Sequence, residues 1–200
     1  VNSGGANLAS IIFALQRLNI SAKLTTDREK IINASHVILP GVGTAAYAMN
    51  RLNELKLCET LCTLTQPVLG ICLGMQLLYE SSAESAADTG GDVKCLGVIP
   101  GKANRLLPSP QTNITIPHMG WNTLEIINDS PLLQGISNRS YVYFVHSYAV
   151  PITPTTSAAA QHGVKFTAIC QWHNFYGTQF HPERSGKIGA TILKNFLSIP

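Results

Sequence analysis

A chain of 200 residues with 14 Lys and Arg against 11 Asp and Glu carries a formal net charge of only +3, and its basic residues form no run with interleaved aromatics, which argues against a surface that tracks nucleic acid. That length buries a large core, and the lack of a long Pro/Ser/Gly linker predicts a single domain over residues 1–200. The longest apolar stretch, around Val68 to Tyr79, is too short to span a bilayer, and no signal-peptide pattern is visible, so neither a membrane nor export is expected.

In chain order, Leu8, Ile11, Ile12 and Leu15 fall at i, i+3, i+4 and i+7, which predicts a helix after the Gly4-Gly5 turn with Asn7 as its cap. A strand should precede it, of which only Val1, Asn2 and Ser3 remain, and with no initiator Met the native chain is expected to start several residues earlier. Short strands are predicted over Ser21 to Leu24 and His36 to Leu39, with a helix over Glu29 to Ala34 between them. Helical patterns then cover Thr44 to Leu55 and Leu57 to Leu64, before an apolar strand that ends at Cys72. Ser81 to Asp92 is small, polar and glycine-bearing, the composition of a mobile loop. β-rich segments follow at Val98 to Leu106, Asn113 to Ile116, Asn122 to Ile126, Tyr141 to Val150, Phe166 to Trp172 and Phe175 to Phe180, the last two joined by a tight turn at His173-Asn174. Lys187 to Leu197 closes the chain as a helix with Ile188, Ile192, Leu193 and Phe196 on one face. The alternation in the first half predicts an α/β fold, a doubly wound and mainly parallel sheet with helices on both faces, to which the second half adds an antiparallel β layer.

Within this frame Pro67-Val68-Leu69-Gly70-Ile71-Cys72-Leu73-Gly74-Met75-Gln76 places a cysteine between two glycines where a strand turns into a helix. Such an elbow strains its central residue and lets the thiol project from the sheet edge, and the amide of Leu73 points the same way, as half of an oxyanion hole. A buried structural cysteine is the competing reading. Gly177-Thr178-Gln179-Phe180-His181-Pro182-Glu183 reads as a strand, on which residues two apart share a face, so His181 and Glu183 are presented together as a base and its orienting acid. With Cys72 they compose a thiol version of the nucleophile, base and acid triad. Cys58 and Cys62 lie one helical turn apart, but no partner pair follows at zinc spacing, so a packed helix face is expected there and no metal. The five cysteines form no disulfide framework, and a free catalytic thiol suits a reducing cytoplasm.

The Cys72 elbow and Gln-Phe-His-Pro-Glu at 179–183 resemble the class I glutamine amidotransferases, whose triad is Cys-His-Glu in that chain order. Leu39-Pro40-Gly41-Val42-Gly43-Thr44 is similar to that family's oxyanion strand, and its glycines allow a peptide to turn its amide toward the reacting oxygen. Pro117-His118-Met119-Gly120-Trp121-Asn122 with Tyr143-Phe144-Val145-His146-Ser147-Tyr148 resembles the branch that serves imidazole glycerol phosphate synthase in histidine biosynthesis. On the residues alone, Met119 and Trp121 alternate with Gly120 on a strand and read as ordinary core residues, the commoner fate of such side chains.

The resemblance implies hydrolysis of L-glutamine by Cys72, His181 and Glu183, with amides of Val42 or Gly43 and of Leu73 as the oxyanion hole. It implies that Gly41, Gln76, Glu84, Ser147 and Tyr148 hold the substrate, the last two through backbone groups, and that no cofactor is needed. It further implies a heterodimer in which Met119, Trp121, Tyr143 and Arg184 face a cyclase subunit that receives the ammonia. Arg184 stands where Lys is frequent, keeping the charge but changing contact geometry. No phosphate loop is present to carry the cyclase chemistry here. Three other readings remain open at this point: an amidotransferase serving a different synthase, a stand-alone cysteine hydrolase, and a catalytically silent docking subunit.

Overall fold

In the computed structural model, which describes residues 1–2, 8–41, 43–85, 91–108 and 114–200, the chain begins with α1 (Leu8–Arg17), α2 (Arg28–Ile32), β1 (Val37–Gly41), α3 (Ala45–Glu54), α4 (Cys58–Cys62), β2 (Val68–Cys72) and α5 (Leu73–Leu78). It continues through β3 (Tyr79–Ser82), β4 (Val93–Lys94), β5 (Ile99–Arg105), β6 (His118–Thr123), β7 (Glu125–Ile126), β8 (Tyr141–His146) and β9 (Tyr148–Ala149). It ends with β10 (Thr156–His162), β11 (Val164–Trp172), β12 (Phe175–Thr178) and α6 (Gly186–Leu197).

The central sheet has the order β1-β2-β12-β11-β10-β7. β2 lies parallel to both β1 and β12, and its five residues are all buried, which is the pattern of a strand covered on both faces. Beyond β12 the strands run antiparallel. The α/β class holds, the central sheet being parallel through β1, β2 and β12 and antiparallel across the rest. Two apolar clusters divide along it residue by residue. Leu69, Ile71, Ile169 and Tyr176 face α1 and α6 through Ile11, Leu15, Ile192 and Phe196, while Val68, Cys170 and Phe175 face α3, α4 and α5 through Met49, Leu52, Leu61 and Met75. This period-two alternation buries both faces and leaves the carboxyl end of β2 as the edge where chemistry can sit.

Two smaller sheets flank it, one ordered β4-β3-β5-β9 and one an antiparallel ribbon of β6 and β8. The added antiparallel layer takes this form. Several local expectations are corrected. Residues 21–24 lie outside any strand, although Asn2 N–H donates to the Thr25 carbonyl at 2.9 Å. Ser81 and Ser82 belong to β3 and pair with β4, so the predicted loop starts later. Ile114 makes an isolated bridge, with Thr115 and Ile116 outside any strand. Asn113, the Gly4-Gly5 turn, the Asn7 cap and positions 86–90 of the loop lie outside the described residues. β10 has no counterpart among the predicted elements. Three alanines in its run Thr156-Ser157-Ala158-Ala159-Ala160 carry little strand preference, and it is a strand because its buried backbone is paired on both sides, by β11 and β7.

The predicted strand from Gly177 to Glu183 ends at Thr178, and Pro182–Arg184 forms a single 3-10 turn. Proline lacks the N–H that a ladder needs, and its fixed φ suits the first position of such a turn. A Cβ on Gly189 of α6 would press into the Pro182 carbonyl oxygen, so the turn seats directly on that helix.

Candidate active site

The elbow is built by close backbone approach. Cys72 closes β2 and caps α5 with φ 55° and ψ −112°, a positive φ that a side-chain-bearing residue adopts only under constraint. A Cβ on Gly70 would stand 2.7 Å from the Gly74 carbonyl carbon and the Met75 Cα, and one on Gly74 would overlap the Leu39 carbonyl oxygen. The two glycines therefore let α5 settle onto β1 and β2. Gly41 of β1 is in register with Cys72 and sits equally tightly against Leu73 and Gly74.

His181 and Glu183 meet on the 3-10 turn rather than on a strand. Nδ1 of His181 lies 2.8 Å from Oε1 of Glu183, and both residues are buried. The backbone of the turn is held by His181 N–H donating to the Tyr143 carbonyl at 3.0 Å and by the Ser185 hydroxyl donating to the His181 carbonyl at 2.7 Å. The other side of the His181 ring hydrogen-bonds Cys72. Burial disfavours a charged ring, but the hydrogen bonds and charges of Cys72 and Glu183 outweigh it and push His181 up to about 10. The imidazole therefore holds its proton at neutral pH.

Around the thiol, the Val145 carbonyl lies 3.7 Å from Cys72 Sγ and the Gln179 amide nitrogen 3.8 Å from it. Gln179 is not among the residues the sequence singles out for the site, although it belongs to the same Gln-Phe-His-Pro-Glu run as the base and acid. Gln76 is buried on α5 and donates through Nε2 to the Tyr148 carbonyl at 2.8 Å and to Gln179 Oε1 at 2.9 Å. Gln76 and the Tyr148 backbone are thus tied to the thiol through Gln179. The Ser147 carbonyl is occupied by the Leu106 N–H at 2.8 Å. Glu84 stands elsewhere, accepting from the Ala45 N–H at 2.8 Å at the start of α3, and burial raises its carboxyl. Gly43, two residues before Ala45, is exposed with φ 84°. Val42 lies outside the described residues.

The β6–β8 ribbon supplies the surface next to this cluster. Trp121 pairs with Tyr143 across the ribbon, their rings 5.8 Å apart and edge-on, and the Arg184 guanidinium stands over the Tyr143 ring, 4.5 Å from its centre. Met119 and Trp121 are 63% and 55% exposed, and Tyr141 on the same face of the ribbon is 60% exposed, so the residues expected at a partner face lie on an exposed, largely aromatic patch. The same strands turn Val142, Phe144 and His146 inward. Among the described residues no helix is long and apolar enough to cross a membrane.

A buried thiol on a strained elbow, joined to a protonated imidazole that a carboxylate orients, is the equipment of a cysteine-dependent acyl-transfer enzyme. Residues 1–199 match the family model for glutamine amidotransferase class-I, and the chain belongs to that family, whose members hydrolyse glutamine with a cysteine nucleophile. It is 51% identical over 199 residues to imidazole glycerol phosphate synthase subunit HisH of Xylella fastidiosa strain Temecula1, covering all of this chain and 96% of that protein. The subunit of the same name from Haemophilus influenzae strain Rd is 50% identical over 197 residues, covering 98% of this chain and 94% of its own length. Among solved structures, a putative GMP synthase subunit from Thermoplasma acidophilum superposes with a TM-score of 0.71 over 98% of this chain and 89% of that one, at 18% identity, a likeness of fold.

Proposed function

We propose that this chain is the glutaminase subunit of an imidazole glycerol phosphate synthase, hydrolysing L-glutamine on Cys72 and passing the ammonia to a cyclase subunit in a heterodimer. With the proton shared by Cys72 and His181 resting on the imidazole, the sulfur of Cys72 attacks the γ-carboxamide carbon, a C–S bond forms, and the carbonyl π pair moves onto oxygen. The Leu73 amide and an amide of the Val42–Gly43 segment receive that oxyanion, each such donor lowering the barrier by about 3 to 4 kcal/mol. His181 gives its proton to the leaving nitrogen as the C–N bond breaks, and ammonia departs. Water then attacks the γ-glutamyl thioester while His181 takes a proton from it, the C–S bond breaks with its electron pair returning to sulfur, and glutamate leaves with the Cys72–His181 pair as it began. Glu183 holds the imidazole in register throughout.

The observation that carries this reading is the Cys72–His181–Glu183 contact, tied through the His181 N–H to the Tyr143 carbonyl of the ribbon that bears the exposed Met119 and Trp121. Free ammonia becomes protonated in water and loses its nucleophilicity, so a site that produces it next to an open aromatic face suits a docked acceptor enzyme. Gly41, Gln76, Glu84, Ser147 and Tyr148 are assigned to glutamine, and Met119, Trp121, Tyr143 and Arg184 to the partner. Five unpaired cysteines fit a reducing cytoplasm. The test is glutamate release by the chain mixed with its cyclase subunit. Cys72→Ala is expected to abolish it while the variant stays folded, and diazo-oxo-norleucine is expected to label Cys72 ahead of the other four thiols. Near-normal hydrolysis by the variant refutes the assignment.

A further inference from the structure

Two histidines that the triad does not use lie on the inner face of the ribbon, paired directly across it. His118 Nδ1 is 2.9 Å from His146 Nε2, and His146 Nδ1 is 2.9 Å from the Tyr148 carbonyl. At the other end, Asn122 Nδ2 is 3.2 Å from His118 Nε2 and donates to the Gln161 carbonyl at 2.8 Å.

The proton positions along this line follow from its two ends. Asn122 Oδ1 accepts from the Thr123 N–H at 2.8 Å, which fixes the orientation of the amide and makes Nδ2 the donor facing His118. A carbonyl only accepts, so the Nδ1 of His146 must carry its proton toward Tyr148. With both rings neutral, His146 Nε2 accepts from His118 Nδ1–H, and His118 Nε2 accepts from Asn122. Both ends impose the same direction. Burial first, then the nearby His146 and His162, push His118 down to about 3; burial pushes His146 down to about 4, with His162 and His181 adding to it against the hydrogen bond to Tyr148, so neither ring is charged at neutral pH. The Tyr148 carbonyl also receives Gln76, whose second proton goes to Gln179, which in turn faces the Cys72 sulfur.

We infer that His118 and His146 are positioning residues of the glutaminase site: a one-directional hydrogen-bond relay from Asn122 through both rings fixes the Tyr148 carbonyl and the main chain against which glutamine lies. The inference rests on the assignment of Ser147 and Tyr148 to the substrate. The relay starts on the strand that carries Met119 and Trp121 on its outer face, so the inner face of the docking ribbon sets the geometry of the substrate backbone.

Nitrogen-15 NMR of the imidazole rings at neutral pH tests the relay without reference to activity. Both His118 and His146 are expected in the tautomer with the proton on Nδ1; a proton on Nε2 of either ring, or a charged ring, overturns the inference. In glutamine hydrolysis with the cyclase subunit, His146→Phe is expected to raise KM at least fivefold with kcat changed less than threefold, because the substrate backbone loses its support while the triad is untouched. His146→Gln keeps one donor and one acceptor on the same terminal group and is expected to stay within threefold of the wild type. Asn122→Asp, at a half-exposed position, replaces the donor by an acceptor, opposes the relay, and is expected to raise KM as His146→Phe does. Unchanged KM in both His146→Phe and Asn122→Asp refutes the relay. Should His146→Phe not fold, Asn122→Asp and the tautomers decide. A wild-type complex that does not hydrolyse glutamine at all would instead refute the glutaminase reading, and the tautomer result would still stand.

Discussion

Replacing Glu183 by Gln leaves an acceptor oxygen within reach of His181 Nδ1 but removes the negative charge. An ordinary histidine titrates near 6.5, and in this fold His181 is pushed up to about 10 even though burial acts the other way. Cys72 and Glu183 together therefore supply more than the whole difference, by hydrogen bond and by charge. Taking away the charge of one partner at 2.8 Å is expected to bring the imidazolium down by at least about one pH unit, or about 1.4 kcal/mol. Because the leaving nitrogen needs the ring proton, kcat/KM should fall on the alkaline side as the imidazole deprotonates, near pH 10 in the wild type and at lower pH in Glu183→Gln. The assay is glutamate release across pH 6 to 11 with the cyclase subunit present. The same raised ring adds folding stability that is fully present below about 6.5 and is lost as pH rises through about 10, so urea midpoints of the wild type should decline over that window more steeply than those of Glu183→Gln. An alkaline limb that does not move, or moves upward, refutes the reasoning.

Gly74→Ala should lose several kcal/mol of urea stability and nearly all activity, because its Cβ would strike the Leu39 backbone, which has no flexible end to give way. Trp121→Ala should weaken cyclase binding by about tenfold in a titration, about 1.4 kcal/mol, with little change in the chain's own unfolding, since the ring is exposed and meets Tyr143 edge-on. On the proposed oxyanion role of the segment between Gly41 and Gly43, where glycine lowers the steric cost of a peptide rotation, glutaminase kcat/KM should rise at least about tenfold when the cyclase and its nucleotide are added; equal rates with and without them would count against that role.

The sequence made the elbow legible because close packing of a helix onto two strands leaves glycine as the residue without a clash, and Gly70 and Gly74 flank Cys72 at the required spacing. The faces of α1 and α6 were legible for a similar reason, as periodic apolar residues have one way to be buried. The pairing of His181 with Glu183 was anticipated through the wrong local geometry. Proline between them makes a 3-10 turn, and that turn presents the two side chains together just as a strand would. β10 was hidden because alanine carries no period, and its place is set by partners distant in the chain. The His118–His146 pair left no local signal, since it exists only when β6 and β8 come into register. Gln179 stood in plain view within a motif and became interpretable only when its amide was seen facing sulfur.

Nitrogen transfer tests the central claim most directly. Glutamine labelled with nitrogen-15 in its amide, supplied to the chain with its cyclase subunit and the cyclase's nucleotide substrate, should place the label in the imidazole ring of the product. With Cys72→Ala the label should be absent, and added ammonium should restore an unlabelled product. Labelled product from Cys72→Ala, or none from the wild type while the cyclase still works on ammonium, would contradict the account.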